Sequence, residues 1–216
     1  MDLDVIFLGT AGSLPTVRRT PSAALVRRGG DRILVDCGEG TQRRLMQSVA
    51  GLCDLEAIVL THHHADHILG LPGLLRSFSL RERSARLLLL GPPGTRALVR
   101  TLSTLLGRLS FPLDVRDIEP GEQVARQGYA LVADPARHRG PALAWSLVEP
   151  ERPGRFDVAA ARAAGVPEGP LFGALQRGED VVLPGGATVR SADVVGEARP
   201  GRRVVFSGDS RPTDRI

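Results

Sequence analysis

The sequence predicts a mixed α/β layered domain. Short apolar runs closed by glycine, proline or aspartate alternate with stretches whose leucines recur at helical spacing. Strands interleaved with helices in this way pack as layers around one core. At 216 residues the chain is long enough for one well-buried domain and short for two.

In chain order, Leu3, Val5 and Phe7 alternate up to Gly9 and read as a strand. Ile33 to Val35 is a buried run closed by Asp36-Cys37-Gly38. Leu45, Met46 and Val49 suggest a short helix after Gly40. Ala57 to Leu60 is a second buried strand. Ile68 to Leu80 is helical, with Pro72 in the first turn. Leu87 to Leu90 is a further strand. The spacing predicts a helix over 95–109, with Thr95 as N-cap. Leu98, Leu102, Leu105, Leu106 and Leu109 form its apolar stripe, and Arg96, Arg100 and Arg108 lie mainly opposite. Val204 to Phe206 is a late strand. Residues 149–186 differ: they hold five prolines and seven glycines, with weak patterning outside Val158 to Ala164. They read as an excursion from the domain, and Pro/Gly content alone favours a surface loop with one short helix.

Composition excludes several classes. The net charge is +4, and every basic residue is arginine. This permits a phosphate-bearing partner without requiring one. From Arg76 to Arg116 there are eight arginines against Glu82 and Asp114. Such a run suits phosphates and a solvated face equally. No apolar run approaches the roughly 18 residues of a membrane span, and the acidic start Met1-Asp2-Leu3-Asp4 lacks signal-peptide character. Cys37 and Cys53 make no disulfide framework. A cytoplasmic protein is expected. Aromatic residues are too few for a base-stacking platform.

The chemistry lies in Thr61-His62-His63-His64-Ala65-Asp66-His67, where four of the five histidines fall within six residues, directly after a strand. In extended chain, residues two apart point the same way, so His62 and His64 converge. Asp66 and His67, where a helix should start, aim at a second point nearby. Imidazole nitrogen with carboxylate oxygen is a ligand set for zinc, with manganese or iron as other cations. A solvated His-rich turn is the bland alternative; four histidines and an aspartate after a buried strand argue against it. His63 points the other way and suits packing or support of the ligands. Further ligands must come from elsewhere. His138, after the strand-like Tyr129 to Ala133, and Asp209, after Val204 to Phe206, both follow strand ends. A carboxylate can bridge two ions, which suits Asp209.

His-x-His-x-Asp-His after a strand resembles the signature of the metallo-β-lactamase superfamily. Within it, the chain resembles the ribonuclease Z family of tRNA 3′-processing endonucleases. Phe7-Leu8-Gly9-Thr10-Ala11-Gly12-Ser13-Leu14-Pro15-Thr16, Asp36 to Arg43, Gly70 to Leu75 and Gly208-Asp209-Ser210 carry that likeness. Gly165-Val166-Pro167-Glu168-Gly169-Pro170-Leu171-Phe172-Gly173 resembles the Gly-Pro motif of the family's flexible arm, which grips the tRNA elbow.

The resemblance implies an α/β fold, an αββα four-layer sandwich with zinc between two sheets. One zinc falls to His62, His64, His138 and Asp209, the other to Asp66, His67 and the bridging Asp209. Residues 149–186 become the inserted arm, with Gly165, Pro167, Gly169 and Pro170 among its RNA-binding residues. Three departures stand out. The family continues past the position of Ile216 with a further zinc histidine and a histidine-bearing motif that helps protonate the leaving group. On this likeness 1–216 is a C-terminally truncated domain with an incomplete sandwich. The family's Pro-x-Lys-x-Arg-Asn loop reads Pro15-Thr16-Val17-Arg18-Arg19-Thr20, keeping Arg19 and offering Arg18 for the lost charge. Ser210 replaces a threonine.

The implied activity is zinc-dependent removal of the 3′ trailer from precursor tRNA, leaving a 3′-hydroxyl on the tRNA and a 5′-phosphate on the trailer. Asp66 orients the attacking water and takes its proton, and a homodimer is implied. Two alternatives stay open: another metallo-β-lactamase-fold hydrolase or phosphodiesterase, and a catalytically incomplete chain that binds metal or tRNA without turnover.

Overall fold

The structure, a computed structural model, describes residues 2–213. A six-stranded sheet has the order β1-β2-β3-β4-β5-β6. Its strands are β1 (Leu3–Gly9), β2 (Ala23–Arg28), β3 (Asp31–Val35), β4 (Ala57–Val59), β5 (Leu87–Gly91) and β6 (Leu113–Asp117). The first three form an antiparallel meander, and β3 to β6 run parallel. Parallel strands need crossovers. These are α1 (Thr41–Gln47), the pair α2 (Ala65–Ile68) and α3 (Leu71–Leu80), and α4 (Thr95–Leu106). The continuous apolar runs of β4 and β5 are buried at every position, as strands covered on both faces require.

Several boundaries differ from the sequence expectation, each for a local reason. The predicted 68–80 helix is broken by Leu69-Gly70, because the chain turns there against Cys37: the Gly70 N–H donates to Cys37 O (2.8 Å). A Cβ on Gly70 would meet Gly38 O at 2.2 Å, so only glycine fits the crossing. Pro72 lies in the first turn of α3. Gly94, at φ 102°, caps α4 in place of Thr95, because the Thr95 hydroxyl is buried and donates to Pro92 O (2.7 Å). The helix ends at Leu106, capped by Gly107, rather than at 109. Strand β2 lacks a clear alternation and escapes sequence reading: it is buried on both sides from Ala23 to Val26.

A four-stranded sheet has the order β12-β9-β8-β7, with β7 (Gln123–Arg126), β8 (Tyr129–Pro135), β9 (Leu143–Val148) and β12 (Arg203–Phe206). The chain divides into two compact units. One runs to Ala125 and includes Leu131–Ser146 and the stretch from Val204; the other holds Arg126–Ala130 and Leu147–Arg203. The second unit has its own core of Ala161, Val166, Leu175, Val181, Val189 and Val194, with Phe156 and Phe172 against it. It contains α5 (Val158–Ala163), α6 (Pro170–Gln176), the hairpin β10 (Val181–Val182) and β11 (Thr188–Val189), and α7 (Ser191–Val194). It extends past the Pro/Gly-rich 149–186 because Val189 and Val194 complete this core. Its incoming and outgoing chains are zipped by the Arg152–Arg199 and Phe156–Val195 bridges. Glu149 and Arg202 close them with a bidentate ion pair at 2.6 and 2.7 Å.

The arginine run between residues 76 and 116 works mostly within the fold. Arg83 is buried, lies 5.5 Å from the Phe78 and Phe111 ring centres, and donates to Leu55 O, Ala85 O, Arg86 O and Asp54. Arg76 donates to Leu106 O and Arg108 O, Arg81 to Leu52 O and Arg96 to Val115 O. Arg86 and Arg116 share Asp114.

Candidate metal centre

The parallel strands β3 and β4 end side by side, and loops beyond such ends gather functional groups. At the end of β3 stands Asp36, buried and left-handed at φ 58°. Its carboxylate accepts the Thr61 N–H (2.8 Å) and the Thr61 hydroxyl (2.9 Å). This pins the point where the chain leaves β4. His62, His63 and His64 follow in extended chain, and α2 begins at Ala65 with His64 as its N-cap residue.

Alternation then sorts the side chains. His62 Nε2 and His64 Nδ1 lie 3.1 Å apart on one side. His63 points away and its Nε2 pairs with Thr95 Oγ1 at 2.8 Å. That hydroxyl already donates to Pro92 O, so the His63 ring donates to it. The first turn of α2 carries His67 back, with its ring centre 4.0 Å from that of His62.

The distant residues join them. His138 Nε2 lies 3.2 Å from His64 Nδ1. Asp209 Oδ1 lies 3.5 Å from His67 Nε2. Asp209 reaches this place because Gly208 turns at φ 57° against Thr61, where a Cβ would meet Thr61 Cβ at 2.8 Å. Two trios of ligand atoms result, His62/His64/His138 and His62/His67/Asp209, each within 4.8 Å of one another. His62 belongs to both. Asp209 groups with His67 rather than with His64 and His138. Asp66 stands beside the second trio, its Oδ2 3.7 Å from His67 Nε2, and accepts the Ser13 N–H at 2.8 Å.

Polar partners fix which nitrogen of His67 and of His62 faces the centre. His67 Nδ1 donates to Asp36 Oδ2 at 2.7 Å, leaving Nε2 inward. The Thr61 hydroxyl donates to Asp36, so it accepts from His62 Nδ1 at 3.0 Å, again leaving Nε2 inward. Burial first, and then the nearby His67, push His62 down to about 4. Burial would lower His67 too, but the Asp36 hydrogen bond and the carboxylates of Asp36, Asp209 and Asp66 outweigh it and hold its pKa above the ordinary value. Burial pushes the Asp66 carboxyl up, yet the Ser13 N–H and His67 outweigh that and keep it below the usual carboxylate range. The cluster therefore combines inward lone pairs with three carboxylates that draw positive charge toward His67. A divalent cation with nitrogen and oxygen preference fits that donor set.

Sequence reasoning missed Asp36 as the orienting carboxylate of this centre. The available signal was an aspartate closing a buried strand; its approach to His67 depends on the β3–β4 pairing. The remaining expected RNA-binding residues lie elsewhere. Arg18 and Arg19 are exposed on the loop between β1 and β2. Gly165 (φ 78°), Pro167, Gly169 (φ 138°) and Pro170, the first residue of α6, form the α5–α6 turn of the second unit.

Residues 17–216 match the family model of the metallo-beta-lactamase superfamily. The chain is 43% identical over 215 residues to ribonuclease Z of Methanosarcina acetivorans, covering 99% of this chain and 70% of that protein. The chain belongs to the ribonuclease Z family. A second family member, ribonuclease Z of Myxococcus xanthus, is 46% identical over 97% of this chain and 68% of its own length. The crystal structure of human tRNase Z, short form, aligns with a TM-score of 0.62 at 32% identity. That alignment covers 67% of this chain and 64% of the human one. The fold is the metallo-β-lactamase fold, and the cluster of this ribonuclease Z family member is its candidate metal centre. No helix among the described residues is long and apolar enough to cross a membrane.

Proposed function

We propose that the chain is a zinc-dependent endoribonuclease that removes the 3′ trailer of precursor tRNA, leaving a tRNA 3′-hydroxyl and a trailer 5′-phosphate. The observation that carries this reading is the pair of ligand trios, one of three histidines and one of two histidines with an aspartate, in a chain 41–46% identical, over nearly its full length, to proteins named ribonuclease Z. His62, His64, His138 and Asp209 would hold one zinc ion; Asp66, His67 and Asp209 would hold the second. When bound, such ions lower the pKa of water toward about 7 and neutralise phosphoryl charge.

The chain's own groups supply the rest. Asp66, ionised at neutral pH and held by Ser13, orients the attacking water and accepts its proton. Asp36 fixes the His67 ring and its tautomer. Arg18 and Arg19 carry substrate phosphates. The arm, residues 149–186, with Gly165, Pro167, Gly169 and Pro170 at the turn, grips folded RNA by shape. A cytoplasmic homodimer completes the reading.

Cleavage of a 3′-extended precursor tRNA by the zinc-loaded chain is the test, with Asp66→Ala as control. A product ending at the discriminator nucleotide, lost in the control, supports the reading. No cleavage by a folded, zinc-bearing chain would overturn it in favour of metal or tRNA binding without turnover. Deleting 149–186 should abolish tRNA cleavage while sparing bis(p-nitrophenyl) phosphate, a small phosphodiester that needs no arm.

A further inference from the structure

The loop between β1 and β2 is held at three places. At its base, Ala11 N donates to Thr20 O (2.9 Å) and Thr20 Oγ1 to Leu8 O (3.0 Å). On its flank, the Ser13 N–H holds Asp66. At its tip, Thr16 builds a turn: its N–H donates to Arg19 O (2.8 Å), and its Oγ1 accepts the N–H groups of Arg18 (3.3 Å) and Arg19 (2.9 Å). From outside the loop, Arg44 on α1 reaches this tip: its Nη2 donates to Arg18 O.

Two grooves meet along the turn, one of about 460 Å³ beside Phe7, Thr10 and Val49, the other of about 430 Å³ beside Pro15, Glu39 and Arg43. Arg18, Thr20 and Arg44 line both. The Arg18 and Arg19 guanidinium groups have no ion pair or hydrogen bond among the described residues. Arg44 is used differently: its guanidinium is bound to the Arg18 carbonyl and to Gln47 Oε1 (3.5 Å), and it holds the residue that carries one of those free charges.

We infer that Arg44 is a positioning residue for RNA cleavage. It fixes the Arg18 carbonyl, so that the Arg18 and Arg19 side chains meet successive phosphates of a strand entering beside Asp66. This rests on the reading that Arg18 and Arg19 carry substrate phosphates. A turn ordered beforehand lowers the entropy lost when two long side chains engage the strand. The effect falls on binding, because Arg44 touches no reacting atom.

The test uses the zinc-loaded 216-residue chain, a 3′-extended precursor tRNA, and the variants Arg44→Ala, Arg44→Lys, Thr16→Val and Thr16→Val/Arg44→Ala. Arg44→Ala should raise KM about tenfold with kcat within about threefold. Lysine, still able to donate to one carbonyl, should recover most of the loss. Thr16→Val should act like Arg44→Ala, and the double variant should be no worse than the poorer single one, as expected for two supports of one turn. An unchanged KM in Arg44→Ala overturns the inference. So does a fall of about one in the salt slope of binding for Arg44→Ala that Arg44→Lys restores, since Arg44 would then contact a phosphate itself. Amide exchange in the metal-free protein gives a readout without turnover. Arg44→Ala should speed exchange at the Arg18 and Arg19 amides but not in α3, and equal rates would also overturn the inference. A parent chain that fails to cleave tRNA sinks the proposed function, while the exchange result still decides the role of Arg44 in the turn.

Discussion

His67 Nδ1 lies 2.7 Å from Asp36 Oδ2, and both side chains are almost wholly buried. The contact ties α2 to the end of β3 and turns the free nitrogen of His67 toward the candidate metal centre. Replacing Asp36 by asparagine keeps the shape and the tolerance of a left-handed backbone, but removes the charge. Asp36→Asn should weaken metal binding by about 10–100-fold, as measured by competition with a zinc chelator. Affinity equal to the parent's would show that the carboxylate does not tune the ligand.

On the proposed assignment Asp209 holds both ions and His64 one. Loss of Asp209 should therefore damage both ion sites, whereas loss of His64 should spare the one that contains Asp66 and His67. Metal content by mass spectrometry after dialysis should fall further in Asp209→Ala than in His64→Ala. Equal stoichiometry in the two variants would contradict the shared role.

The metal-free protein should be most stable between about pH 6 and 7. His62 is pushed down to about 4 from an ordinary value of 6.5. As pH falls from 6.5 toward 4, the unfolded chain protonates this residue first and stability is lost. His67 is shifted the other way. Its contribution is complete below 6.5 and is lost as pH rises through its folded value. Urea midpoints taken from pH 4.5 to 8.5 in chelator would check this, and a midpoint rising steadily across the range would contradict it.

Arg83 tests whether the basic run is structural. Removing its guanidinium leaves the Leu55, Ala85 and Arg86 carbonyls without that donor and strips its cover from the paired Phe78 and Phe111 rings. Arg83→Ala should cost about 3 kcal/mol of folding stability, and Arg83→Lys should recover less than half, because an ammonium cannot reproduce the planar fork. Arg100→Ala, on the exposed face of α4, should change stability by less than about 0.5 kcal/mol. Similar denaturation midpoints for all three would show that Arg83 is not needed for packing.

Much of the fold and of the site's grouping was legible from local pattern. Buried runs such as Leu87 to Leu90 and the leucine stripe of α4 announce themselves because burial and helical periodicity act over a few residues. The alternation of His62 and His64 is equally local. The convergence of His138 and Asp209 could only be suspected from their places after strands, since it depends on pairing in a separate sheet. Asp36 shows the limit best. Its backbone is left-handed and its partner lies 31 residues away, neither of which has a sequence signature. Thr95 misled for a related reason: a hydroxyl at a helix start is ordinarily a cap, but here Gly94 turns the chain and frees that hydroxyl to meet His63.

Trp145, the one tryptophan of the chain, is buried and its indole N–H donates to Leu60 O at 2.8 Å. Leu60 directly precedes the segment that presents the histidines. The protein thus carries an intrinsic fluorophore moored to the base of its candidate metal centre. Emission excited at the red edge of indole absorption follows the integrity of that strand end without any label, and distinguishes a loosened centre from a molecule that has come apart elsewhere.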